Sequence, residues 1–111
     1  MERTFDKLVR DNIPDKILSN GEEVVTRILD DSEYEEELYK KLLEETDEVI
    51  GAKSEDEILE ELADVLEVIQ AIAKLNGKTI EDVIETANQK RQKRGGFEKR
   101  IFLEKTYSKE K

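Results

Sequence analysis

Residues 41–64 read KLLEETDEVIGAKSEDEILEELAD, and they decide the fold because one helical pattern ends in this stretch and another begins. Gly51 is expected to stop the first helix, and Ser54 opens a capping-box sequence that starts the second. A connection of only a few residues places consecutive helices antiparallel and side by side. The sequence therefore predicts a helical hairpin whose helices span residues 32–51 and 54–76.

The same stretch carries two pairs of acids with i, i+3 spacing, which puts both members of a pair on one side of a helix. The pairs are Glu45 with Glu48 and Glu61 with Asp64. On a helical wheel Glu61 falls inside the apolar arc of its helix, Asp64 lies at the edge of that arc, and Glu45 falls between apolar neighbours. A carboxylate that faces a packed interior loses its hydration and needs a cation. We therefore predict that the four acids form a metal cage.

The identity of the metal follows from the available ligands. The chain has no His and no Cys, so its donors are oxygen atoms, which suit hard cations such as Mg²⁺ or Mn²⁺. The alternative is that the acid pairs are simply solvated, because 43% of the residues are charged and any Glu-rich helix shows such pairs. Two pairs displaced toward the apolar faces of adjacent helices favour the metal interpretation.

Length and composition limit the classes of protein to consider. A chain of 111 residues corresponds to one domain whose core is small, so that oligomerisation would add to its burial. The net charge of −10 argues against nucleic acids and anionic membranes as partners. The absence of Cys excludes disulfides and thiol chemistry. No apolar run suits a secretion signal or a membrane span, so we expect a cytoplasmic protein.

Further elements are predicted on either side of the hairpin. Capping residues and a proline at residues 11–14 begin a short helix, which should end at residues 19–21. Thr79 begins a third long helix with another capping sequence. Residues 23–29 are rich in β-branched side chains and residues 100–107 alternate in polarity, so we predict two short peripheral strands that could pair with each other.

The third long helix ends in a basic run, KRQKR at residues 90–94, followed by Gly95. One interpretation is structural, because cations at a helix C-terminus complement the helix dipole and a glycine caps its last turn. The other is functional: Lys90 and Arg94 have i, i+4 spacing and could receive phosphates from one side of the helix. The sequence alone supports both interpretations equally.

Several motifs together resemble a known family. Residues 43–48, LEETDE, and residues 61–64, ELAD, resemble the EExxE…ExxD signature of the all-α nucleoside triphosphate pyrophosphohydrolases, the MazG-like superfamily. Residues 88–94 are similar to the N-x-K-x-x-x-R segment of that superfamily. KLVRDNIP at residues 7–14 and RGGFE at residues 94–98 further resemble a small single-domain branch that is often described as phosphoribosyl-ATP pyrophosphohydrolase-like. The resemblance covers nearly the whole chain.

The resemblance implies an antiparallel helical bundle of the all-α NTP pyrophosphatase type, completed in a homodimer or homotetramer. It also implies an Mg²⁺-dependent hydrolase that cleaves the bond between the α and β phosphates of a nucleotide, releasing a monophosphate and pyrophosphate. Either Glu45 or Glu48 would act on the attacking water. The residues that it assigns are, for the metal, Glu45, Glu48, Glu61 and Asp64, and, for the substrate, Asn88, Lys90 and Arg94. We also predict that Arg10 binds the substrate.

The chain also departs from the family pattern. Val65 follows Asp64 where phosphoribosyl-ATP pyrophosphohydrolases carry a nearby His, which argues against phosphoribosyl-ATP as the substrate. Arg91 stands where an aromatic residue usually follows the motif lysine. Two other functions are compatible with the sequence. One is a non-catalytic helical module that retains the bundle and binds a partner, and the other is nucleic-acid binding through residues 90–100.

Overall fold

A computed structural model describes residues 1–109, which contain four α-helices and no β-strand. The helices are α1 (Ile13–Ser19), α2 (Asp31–Gly51), α3 (Glu55–Leu75) and α4 (Ile80–Arg94). The chain divides into two compact units, the first covering Met1–Ile80 and the second starting at Glu81. The first unit thus contains α1, α2 and α3, and the second contains nearly all of α4.

The predicted hairpin is confirmed. α2 and α3 are connected by residues 52–54 and pack against each other. The Ser54 hydroxyl accepts a hydrogen bond from the Glu57 backbone N–H at 3.1 Å, so Ser54 is the N-cap of α3, as predicted. The Glu57 carboxylate in turn accepts from the Lys53 N–H at 2.9 Å. These bonds satisfy backbone donors at the helix start that would otherwise lack partners.

The core of the described residues is small. Its buried side chains are Leu38 on α2 and Val68 and Ala73 on α3. The apolar arc predicted for α3 is only half covered, since Leu62 and Leu66 are each 49% exposed. Full burial of such a side chain contributes about 1.5–3 kcal/mol. The chain by itself therefore leaves a large part of its potential hydrophobic stabilisation unused.

The start of α2 differs from the prediction. Ser32 opens a capping-box sequence and is the predicted N-cap, but the helix begins at Asp31 and its N-cap is Asp30, two residues before Ser32. The Asp30 carboxylate accepts a hydrogen bond from the Glu33 backbone N–H at 2.8 Å. Two N–H groups of Arg27 bind the Glu33 carboxylate, at 2.8 and 3.1 Å. An aspartate is at least as good a cap as a serine, and here it comes first along the chain.

Both predicted strands are wrong, because residues 23–29 and 100–107 have no regular secondary structure. Val25 and Ile28, which suggested the first strand, are almost fully exposed. A strand is stable only when a neighbouring strand completes its hydrogen-bond ladder and a core covers one of its faces. Neither is present among residues 1–109, so β-branched composition alone was misleading.

The short helix α1 agrees with the prediction. It begins at Ile13, with Asn12 at the N-cap position and Pro14 in its first turn, but the predicted side-chain cap is wrong, because no side chain forms a capping hydrogen bond there. It ends at Ser19, and the chain turns away at Gly21, whose φ of +89° is readily adopted only by glycine. Its position matters because the residues just before it approach α3.

In the second unit, α4 begins at Ile80, directly after the predicted cap position Thr79. Gly95 follows its last residue with φ of +82° and donates its N–H to the Arg91 carbonyl oxygen at 2.8 Å. The predicted capping role of this glycine is therefore confirmed. Across residues 1–109, none of the helices combines the length and the apolar character needed to cross a membrane.

Candidate metal centre

The hairpin brings acids from both of its helices together. Glu45 on α2 and Glu61 and Asp64 on α3 can each offer one carboxylate oxygen, and these oxygens all lie within 4.8 Å of one another. The three residues are partly buried, and the Glu45 side chain is only 13% exposed. Oxygen ligands of a single Mg²⁺, each about 2.1 Å from the ion, are separated by about 3–4 Å. Small side-chain adjustments would therefore let the three acids share one divalent cation.

Glu48, the fourth acid of the predicted cage, is placed differently. It follows Glu45 by one helical turn but is exposed, and it does not belong to the group of converging oxygens. Its negative charge nevertheless helps to raise the pKa of Glu61. The structure thus brings three of the four predicted ligands together and leaves Glu48 beside them. A metal-binding role for Glu48 stays a prediction.

The surroundings of Glu61 disfavour its negative charge. Partial burial raises its pKa above the ordinary value, because a carboxylate that loses water is harder to ionise. The negative charges of Asp64, Glu48 and Glu45 raise that pKa further, in this order of size. A bound cation would reverse both effects, so the environment of Glu61 is one that a divalent metal would stabilise.

Basic side chains flank the acids. Lys41 places its Nζ 3.6 Å from the Glu45 carboxylate and 3.3 Å from that of Glu44. Arg10 donates from Nη2 to Asp64 Oδ1 at 2.5 Å. Lys41 was not among the residues predicted from the sequence, although its i, i+4 spacing to Glu45 was a usable signal. The contact of Arg10 joins residues 54 positions apart, and no local pattern indicates it.

Arg10 and Asp64 also border an open groove along α3, with a volume of about 550 Å³. Side chains of α3, among them Glu60, Leu66 and Gln70, form the rest of its lining. Small-molecule sites commonly have volumes of about 300–1,000 Å³. The groove is thus large enough for part of a nucleotide beside the acids.

The other residues predicted to bind the substrate lie on α4, in the second unit. Asn88, Lys90 and Arg94 are all exposed. Arg91, between the two predicted phosphate ligands, forms an ion pair with Glu98. The exposed side chains of Lys90 and Arg94 are compatible with phosphate binding, and their roles stay predictions.

A comparison with protein families adds an independent observation. A model described as the MazG nucleotide pyrophosphohydrolase domain matches residues 33–96, more than half of the chain. This chain belongs to the MazG family. The MazG match includes the hairpin from Glu33 onward, with its three converging acids, and all of α4 as far as Arg94, and it begins after Arg10. Comparisons with curated proteins and with solved structures gave no significant match.

Proposed function

We propose that this MazG-family protein is a nucleotide pyrophosphohydrolase that depends on a divalent metal. It would cleave the α–β phosphate bond of a ribo- or deoxyribonucleoside triphosphate, or of a related nucleotide, to a monophosphate and pyrophosphate. The observation that supports this most strongly is the convergence of carboxylate oxygens from Glu45, Glu61 and Asp64 within 4.8 Å. The family match supports the class of reaction.

Glu45, Glu61 and Asp64 would hold Mg²⁺ or Mn²⁺, with Glu48 contributing from the next turn of α2. The fit is good, because the donors are all carboxylate oxygens, and because partial burial and then the neighbouring negative charges raise the pKa of Glu61. When bound, the metal would offset phosphate charge and lower the pKa of a coordinated water. Glu45 or Glu48 would orient that water or accept its proton for in-line attack on phosphorus.

The phosphates need local cations, because a net charge of −10 repels a triphosphate over most of the surface. We assign this role to Lys90 and Arg94, which would stabilise charge on the departing pyrophosphate, and to Arg10 beside the groove. Asn88 would lie near the nucleotide. Because the family match continues across the boundary between the two compact units, we propose that they act together as a single MazG-like domain.

We also propose that the protein works as a homodimer or homotetramer. Leu62 and Leu66 on α3 are about half exposed, and Leu43 on α2 is 69% exposed. A second copy that covered these side chains would supply the burial that the small core lacks. Sedimentation analysis measures the assembly directly, and a monomer at every concentration tested would contradict the proposal.

The test of activity is pyrophosphate release from a panel of nucleoside triphosphates with Mg²⁺. Glu61→Ala is expected to lower turnover by at least about a hundredfold, because losing even an indirect metal partner commonly costs 10–100-fold. Glu36→Ala is a suitable control, since it removes the same charge from an exposed position of α2. Folded wild-type protein without metal-dependent turnover on any nucleotide would instead favour the non-catalytic, partner-binding module.

A further inference from the structure

Arg10 forms a hydrogen-bonded ion pair with Asp64, one of the predicted metal ligands. Its guanidinium donates to Asp64 Oδ1 at 2.5 Å, and Asp64 is one of the three acids whose oxygens converge. The segment that carries Arg10 has no regular secondary structure, and the helix α1 starts three residues later. Arg10 therefore comes to the acids from outside the hairpin that builds the site.

We infer that Arg10 is an internal counter-ion of Asp64 that a divalent metal displaces, and that the released guanidinium then binds the phosphates of the substrate. This inference rests on the proposed function. Arg10 would thus bind two partners in succession, first the Asp64 carboxylate and then the phosphates of the nucleotide. It also makes Arg10 a determinant of metal affinity.

Physical reasons favour displacement. A guanidinium has donors only and cannot share a metal's coordination shell, so the metal and Arg10 repel each other when both approach Asp64. Their contact is also easy to break, because the side chains of Arg10 and Asp64 are 56% and 39% exposed. Ion pairs this exposed contribute little to stability, whereas a divalent cation among three carboxylates gains much more.

The other basic neighbours of the acids are less suited to this role. Lys41 lies on α2 itself, is shared between Glu44 and Glu45, and is only 17% exposed. Lys7 pairs with Glu44 at 3.7 Å, which is outside the group of converging oxygens. Arg10 is the only one of these three cations that contacts an acid on α3 and borders the groove.

The test is the affinity for Mn²⁺ alone, measured by calorimetry on chelator-treated, full-length protein. Arg10→Gln is expected to bind Mn²⁺ about three- to tenfold more tightly at low ionic strength, with a smaller gain at high salt, because both competition and repulsion are screened. The matched control is Arg27→Gln, which removes the same charge from an ion pair with Glu33 at the start of α2. Its Mn²⁺ affinity should equal that of the wild type.

The possible outcomes separate the two proposals. A wild type that does not bind Mn²⁺ would refute the metal centre, and the role of Arg10 with it. Normal binding by the wild type, with unchanged or weaker binding by Arg10→Gln, would refute the role of Arg10 alone. Equal tightening by Arg27→Gln would also refute it, because the effect would then reflect net charge. Where turnover is measurable, Arg10→Gln should raise KM several-fold at saturating metal. A purely structural role for Arg10 would not produce a higher KM together with tighter metal binding.

A measurement on the wild type keeps the inference testable even where Arg10→Gln does not fold. Nitrogen NMR of the arginine side chains, during titration with Mg²⁺, should show the Arg10 guanidinium signal shifting as the metal binds. The Arg27 signal serves as the internal reference and should not move. Saturation with Mg²⁺ that leaves the Arg10 signal in place would overturn the inference.

Discussion

Two glutamates of the hairpin have opposite surroundings. Glu33, in the first turn of α2, accepts two hydrogen bonds from Arg27, which hold its pKa below the ordinary value. Glu61, on α3, is partly buried among other acids, and its pKa is raised. The first arrangement satisfies its charge within the chain and stabilises a helix start. The second leaves negative charge uncompensated, which is what a site for an external cation requires.

The largest difference between the Glu33 and Glu61 variants should appear in the stabilisation of the protein by a bound metal. At a free Mg²⁺ concentration about a hundred times Kd, preferential binding to the folded state should raise Tm by roughly 10 °C. Glu61→Gln should lose most of this shift, because it removes a ligand, whereas Glu33→Gln should retain it. Differential scanning calorimetry of chelator-treated protein provides the measurement. A wild type whose Tm does not change when Mg²⁺ is added would contradict the metal centre.

The same two variants should change the metal-free protein in opposite directions. Glu61→Gln is expected to raise Tm by a few degrees, since it removes a partly buried charge and its repulsion from Asp64 and Glu48. Glu33→Gln is expected to lower Tm, since it breaks the pair with Arg27. Thermal unfolding in the presence of a chelator tests both. A lower Tm for both variants would show that the charge of Glu61 is not repelled by the acids around it.

The pH dependence of stability should show the same opposition. Unfolded glutamates titrate near 4.5. Folded Glu61 has a raised pKa and binds its proton first, so its contribution to stability increases as the pH falls through that pKa toward 4.5. Folded Glu33 has a lowered pKa, so its contribution is present above 4.5 and is lost as the pH falls through the folded value. Urea unfolding of metal-free wild type and of each Gln variant across this range isolates the two contributions.

The smallest effect concerns the corrected start of α2. Asp30→Ala should reduce the free energy of unfolding by about 1 kcal/mol, because it removes the acceptor for the Glu33 N–H. Ser32→Ala should change it by less than about 0.5 kcal/mol, since Ser32 is an exposed residue inside the helix. Urea titration of the two variants compares them directly. A larger loss for Ser32→Ala would restore the original prediction of the helix start.

The sequence predicted those features that depend on residues close together in the chain. The N-cap of α3, the position of α1, the glycine after α4 and the hairpin all follow from local patterns. The convergence of Glu45, Glu61 and Asp64 follows too, because spacing and the apolar arcs of the two helices determine which sides meet.

The errors arose where a pattern needed distant partners. The segments at 23–29 and 100–107 have the composition of strands, but pairing is a property of two segments and cannot be read from either one. The contact between Arg10 and Asp64 was invisible for the same reason. At the start of α2, the sequence offers two capping residues two positions apart, Asp30 and Ser32, and the N-cap is Asp30.

The three-residue connection between α2 and α3 has a consequence for how the molecule forms. Contacts between segments that are near in sequence close with little loss of chain entropy, and helical hairpins are accordingly among the fastest structures to fold. Glu45 and Asp64 are brought together by such a hairpin, whereas Arg10 must close a much longer loop. The acids are thus expected to meet early in folding, and the arginine to arrive afterwards at a cluster that is already assembled.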